Sequence, residues 1–97
     1  MINNGGAKLD YQALIDSDPY IIDDLMARTV VSKNSYGGIP CLDWTGSLTK
    51  KGYGNVGRGY TNYVTHRIIA TYYHGDQPDL QVDHLCMNKK CQEPKHL

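Results

Sequence analysis

Residues 82–97 read VDHLCMNKKCQEPKHL, and this stretch decides the fold. Cys86, Cys91 and His96 fall at the spacing C-x4-C-x4-H. Lys89, Lys90 and Pro94 make the stretch too polar to be a core element, so a ligand is its evident means of order. Zinc prefers four tetrahedral ligands of sulfur and nitrogen type. The tail supplies three, and Cys41 is the one other cysteine of the chain. A closed set of Cys41, Cys86, Cys91 and His96 leaves no open position, so the metal is expected to be a structural Zn²⁺ that knits an early strand to the tail. The competing reading is three cysteines buried as small apolar side chains, which the polarity of the tail opposes. His84, two residues before Cys86, stands beside this set, either as an alternative ligand or as a neighbour of it.

Working outward, Thr65 is expected to begin a helix in which Ile68, Ile69, Tyr72 and Tyr73 share one face and which Gly75 closes. Gln77-Pro78 reads as a turn and residues 80–84 as a short strand. Before the helix, residues 52–56 and 60–64 read as two strands joined through Gly57-Arg58-Gly59, a hairpin by turn chemistry. Residues 41–46 (CLDWTG) read as a short strand with a turn, and residues 32–40 (SKNSYGGIP) as a loop. Further upstream, Asp18-Pro19 is the expected start of a helix, with Asp18 as N-cap and Pro19 at the first helical position. Ile21, Ile22, Leu25 and Met26 then share a face, and Tyr11, Leu14 and Ile15 suggest a shorter helical turn before them. Residues 1–8 read as a frayed tail.

A chain of 97 residues makes one small domain, with a modest core that usually needs a disulfide, a metal or a partner. No apolar run is long enough to span a membrane, and residues 1–15 lack a basic start followed by an apolar block, so a reducing cytoplasm is expected. Cysteines there bind metal more often than they pair. The formal net charge is zero, but residues 1–40 carry five acidic and three basic side chains and residues 41–97 five acidic and seven basic. Any phosphate contact must therefore be local.

The pieces CLDWTG (41–46), GYG (52–54), THR (65–67), YYHG (72–75) and VDHLCMNKKCQEPKHL (82–97) occur in an order that resembles the HNH, or His-Me finger, endonuclease family. Within it, the I-PpoI-like branch of zinc-containing phage and homing endonucleases is the nearest resemblance. The match runs from about Cys41 to Leu97, and the D-H-L-C-x4-C-x2-P-x-H-L string is its specific part. The resemblance implies an α+β fold: a small zinc-stabilised domain with an N-terminal helix, a β-hairpin, a central helix and a truncated ββα-metal motif. On this basis residues 1–40 form an N-terminal helical segment and residues 41–97 a zinc-bound HNH-like domain, together one structural unit.

Carried over residue by residue, the resemblance makes Cys41, Cys86, Cys91 and His96 the zinc ligands and His84 the general base. It makes Asp83 a ligand of a catalytic Mg²⁺. Arg67 of the His66-Arg67 pair becomes a phosphate contact. The hairpin is the expected DNA-binding element, with Lys50, Lys51 and Arg58 gripping phosphates among Tyr53, Asn55, Tyr60 and Asn62, since a two-stranded ribbon fits the major groove. Two departures stand out. Glu93 occupies the position where the family has Asn, and the chain ends at Leu97, before the helix that supplies a further ligand for Mg²⁺. The chain is therefore expected to be either a fragment of a longer nuclease or a natural short form that has lost catalysis. One function is a phage-encoded hydrolase that cuts or nicks DNA. The alternative is a catalytically inactive zinc module that binds DNA or a protein partner, such as an inhibitor of a host defence complex. A third reading is a plain structural domain of a larger assembly.

Overall fold

The computed structural model describes residues 9–75 and 84–97. Helices α1 (Tyr11–Ser17) and α2 (Ile21–Ala27) lead into strands β1 (Thr29–Tyr36) and β2 (Ile39–Trp44). Strands β3 (Asn55–Arg58) and β4 (Thr61–Val64) follow, then helix α3 (Thr65–His74) and a terminal 3-10 turn, Pro94–His96. The α+β class expected from the sequence is what the chain adopts.

The core is built by the three helices and two strand residues. Tyr11, Leu14 and Ile15 of α1 and Ile21, Ile22 and Leu25 of α2 pack with Ile68 and Ile69 of α3, Trp44 of β2 and Val56 of β3. Each fully buried aliphatic side chain of this kind stabilises the fold by roughly 1.5–3 kcal/mol relative to exposure. α1 begins where its cap dictates: the Asp10 carboxylate accepts the Ala13 N–H at 2.9 Å.

α2 starts at Ile21, three residues beyond the expected cap. Asp18 is instead the C-cap of α1, its N–H donating to the Leu14 carbonyl. Its carboxylate accepts from Arg58 Nε at 3.2 Å and so does not cap α2.

Residues 32–40 form a hairpin rather than a loop. β1 pairs antiparallel with β2, Thr29 opposite Trp44 and Tyr36 opposite Ile39, with an irregularity between Val31 and Ser35. The reversal is made by Gly37 (φ +60°) and Gly38 (φ +78°), the two positive φ values that a two-residue type I′ turn demands. The tail then joins this hairpin's other edge. Trp44 N–H donates to the Lys90 carbonyl at 2.9 Å and Gln92 N–H to the Leu42 carbonyl at 2.7 Å, with Asp43 bridged to Cys91.

β3 pairs with β4, Asn55 opposite Val64 and Arg58 opposite Thr61, so the second hairpin forms, but its turn falls at Gly59-Tyr60, with Gly59 at φ +61°, and Gly57 and Arg58, expected in the connection, are paired residues of β3. Before β3, Gly54 is wedged between Thr65 and Trp44: a Cβ there would sit 2.1 Å from Thr65 Oγ1 and 2.9 Å from Trp44 Cδ1. Gly54→Ala is expected to cost about 1–3 kcal/mol by overpacking. A thermal melt of the variant that matches the native one would show that this junction yields.

α3 differs from expectation along its axis. Thr65, His66, Ile68, Ile69, Ala70 and Thr71 are buried, whereas Tyr72 and Tyr73 are 54% and 50% exposed. The first two turns are enclosed on most sides, while the last turn projects past the core. Gly75, at φ +90°, closes the helix with its N–H on the Thr71 carbonyl. The expected turn at Gln77-Pro78, residues 80–83 of the strand expected over 80–84 and the tail over 1–8 lie outside the described residues.

Candidate metal centre

Four elements converge on one point. β2 carries Cys41, the turn after His84 carries Cys86, the bridged tail segment carries Cys91, and the 3-10 turn carries His96. Their three sulfurs and one imidazole nitrogen all lie within 4.8 Å of one another. Cys41 and Cys91 are fully buried, His96 is 1% exposed, and Cys86 is half-buried. All three thiols are unpaired, so the cluster is not a disulfide in disguise.

The imidazole is aimed by its far side. His96 Nε2 donates to the Tyr36 carbonyl at 3.1 Å. That bond fixes the proton on Nε2 and turns the Nδ1 lone pair toward the sulfurs, 3.4 Å from Cys41 and 3.3 Å from Cys91. Glu93 shapes the turn that presents this ring: its carboxylate accepts the Lys95 N–H at 3.2 Å and Pro94 fills the first helical position. The neighbouring loop is clamped to β2 by Asn88, whose amide donates to the Asp43 carboxylate at 2.7 Å while its oxygen accepts the Lys90 N–H at 3.2 Å.

These donors fit zinc. Tetrahedral coordination at about 2.3 Å to sulfur and 2.0–2.1 Å to nitrogen places ligand atoms roughly 3.5–3.8 Å apart. The two sulfur–nitrogen separations above already approach that spacing. The four residues could hold a metal ion, and the Cys3His donor set is that of structural zinc with no open position. Burial pushes the Cys41 thiol above its ordinary value and the Cys91 thiol up to about 12, because a buried thiolate without a cation loses its hydration. Both sulfurs are thus protonated in the metal-free fold at neutral pH. The stability they lend that metal-free fold is present below the ordinary thiol pKa of 9.0 and lost as pH rises toward about 12. Metal binding must expel both protons, so zinc affinity is expected to rise on the order of 100-fold per pH unit between pH 6 and 8 from these two groups. Competition with a chromophoric chelator across that range reads this slope, and a flat profile would contradict it.

His84 is not part of the metal cluster. Its Nε2 bonds to the Cys91 carbonyl at 3.0 Å, so a ligand's own peptide orients it. The ring lies 4.3 Å from that of His66, on the first turn of α3, and is stacked 5.9 Å from that of Tyr53. Tyr53 and His66 are themselves 5.3 Å apart, and Lys89 Nζ sits 5.3 Å from the Tyr53 centroid. The position of Asp83 lies outside the described residues.

The expected phosphate contacts are placed unequally. Lys50 and Lys51 are exposed in the loop before β3. Arg58 is half-buried, its guanidinium paired with Asp18 and Asp24, which ties the second hairpin to the first two helices. Arg67 lies over the Tyr11 ring at 5.5 Å and is half-buried. Tyr60 is fully exposed at the hairpin tip and Asn62 is exposed on β4. The neighbours of His84, namely Tyr53 and His66, were not legible as a group: one precedes β3 and the other opens α3, and only the packing of α3 against the tail brings them together.

Residues 63–97 match the HNH endonuclease family. The matched stretch holds His84, Cys86, Cys91 and His96, whereas Cys41 lies before it. The chain is also similar to Protein 7.7 of Escherichia phage T7, with 36% identity over 58 residues. That alignment takes in 59% of this chain and 45% of the phage protein, so the chain spans less than half the length of this curated relative. No solved structure matches the chain. No helix among the described residues is long and apolar enough to cross a membrane.

Proposed function

We propose that this chain is an HNH-type DNA endonuclease or nicking module of the zinc-containing kind, with His84 as general base. The observation that carries the reading is the bond from His84 Nε2 to the carbonyl of Cys91. It assigns the imidazole proton to Nε2 and leaves Nδ1 as the basic nitrogen, on a ring held by a loop that the metal centre fixes. A neutral imidazole near pH 7 is suited to deprotonate an attacking water. A divalent cation such as Mg²⁺, when bound, neutralises charge on the leaving oxygen. Asp83 is the residue of this chain proposed to hold it. Lys50, Lys51 and Arg67 are proposed to position the DNA backbone, and the cytoplasm of a phage-infected bacterial cell is the proposed location. The test is nicking of supercoiled plasmid with Mg²⁺ or Mn²⁺. Relaxed or linear product is expected, and intact plasmid under every metal, with zinc bound and the fold native, would contradict the reading.

A second reading, an inactive zinc module that binds a protein partner such as a host defence complex, is favoured by one surface. Tyr72 and Tyr73 are half-exposed, and an open pocket between α2, β2, α3 and the tail is lined by Met26, Leu42, Tyr73 and Pro94 beside the charged Glu93 and Lys95. This reading predicts no cleavage by a zinc-loaded, folded chain.

A further inference from the structure

The zinc loop and the loop before β3 share a groove that the hairpin alone does not account for. Among the described residues it is lined by Asn34 and Ser35 of β1, Gly52, and the zinc loop from Cys86 to Lys90, and none of these is acidic. Lys50 and Lys51 precede Gly52 and are exposed, as are Lys89 and Lys90. Lys89 is anchored rather than loose: its Nζ donates to the Lys51 carbonyl at 2.9 Å and lies over the Tyr53 ring. Tyr53 in turn stacks with His84. One carboxylate beside the loop, Asp43, is occupied by Asn88.

We propose that this groove is a track for the DNA backbone, in which Lys89 and Lys90 grip phosphates of the strand that Tyr53 and His84 receive. The inference rests on the endonuclease reading and adds residues to it. A Cys3His-bound Zn²⁺ carries a net charge of −1, and four lysines around the groove exceed that, so they do more than neutralise thiolates. The loop that bears them is held by the metal centre and by Asn88, so their ordering is already met before DNA arrives. Polyanion affinity of this kind is read through its salt dependence, about 0.9 in slope per phosphate neutralised on duplex DNA.

The experiment is fluorescence anisotropy with a labelled 20-base-pair duplex, without added Mg²⁺, at several NaCl concentrations. Lys89→Gln/Lys90→Gln is expected to bind roughly 10–100-fold more weakly at low salt and to shallow the plot of log K against log salt by about 1.8. Lys89→Arg/Lys90→Arg is expected to keep the native slope. Lys90→Gln alone, with an expected change of about 0.9, gives the readout if the double variant does not retain zinc. Native binding with an unchanged slope in the glutamine variants would overturn the groove while leaving the endonuclease reading intact. A native chain that binds no duplex at any salt, yet holds zinc, would remove that reading itself.

Discussion

Replacing Cys41 with Ala is expected to abolish the cooperative thermal transition near physiological temperature rather than lower it by a few degrees. The other contacts that seat the tail are hydrogen bonds, such as those of Asn88 to Asp43 and Lys89 to the Lys51 carbonyl. Of the apolar side chains in residues 84–97, Leu85 is 52% exposed and Met87 is 89% exposed, and Leu97 is only partly buried against the core. The backbone bonds from Trp44 and Gln92 that seat the tail on β2 are few, and each nets about 0.5–1.5 kcal/mol. A structural zinc contributes about 10–16 kcal/mol of apparent binding free energy at pH 7. That is of the same order as the whole stability of about 5–15 kcal/mol typical of a folded domain. Cys41 is the ligand that joins β2 to the tail, so its loss removes both a ligand and the long-range link. Circular dichroism with temperature, on zinc-saturated protein, reads the result. A Cys41→Ala melt within a few degrees of the native one would show that β2 and the tail are held by other means.

The second large effect falls on chemistry instead of stability. His84→Ala is expected to lower plasmid nicking by roughly 10²–10⁴-fold, the usual contribution of a positioned general base. The fold should survive, since the change removes one bond to the Cys91 carbonyl and the ring contacts with Tyr53 and His66, while all four candidate ligands remain. Zinc content and melting temperature measured on the same preparation separate the two consequences. Native nicking rates in the variant would dismiss His84 as the base, whereas lost zinc would make it a structural neighbour of the metal centre.

Much of this was legible in the residues because strong local signals agree with the tertiary fold. Cysteines in a lysine-rich, proline-containing segment have few uses but metal binding, and Cys41 was the sole remaining partner. Gly59 and Gly75 mark a turn and a helix end where positive φ is needed, and both lie there. The hairpin of β1 and β2 was missed since Ser32, Lys33, Asn34 and Pro40 read as loop residues, although Gly37-Gly38 carried the turn signal. β1 is not made by side-chain burial, as its Val30 and Val31 are largely exposed and Tyr36 is half-exposed; it is made by pairing with β2, which buries Cys41 and Trp44. Asp18 was misread as a cap because nothing local reveals that its carboxylate is engaged by Arg58, forty residues away. The same pair engages Arg58, one of the expected phosphate contacts, with carboxylates of the first two helices. The orientation of His84 depends on a carbonyl of Cys91 and on rings from two other elements, contacts of long range that no spacing pattern encodes.

The most direct measurement is zinc K-edge X-ray absorption combined with elemental analysis of the purified chain. One zinc per chain, bound by three sulfurs at about 2.3 Å and one nitrogen at about 2.0–2.1 Å, is the expected result. Substoichiometric metal, a shell of oxygens, or a fold that persists unchanged after strong chelation would contradict the claim that a Cys3His centre organises this protein.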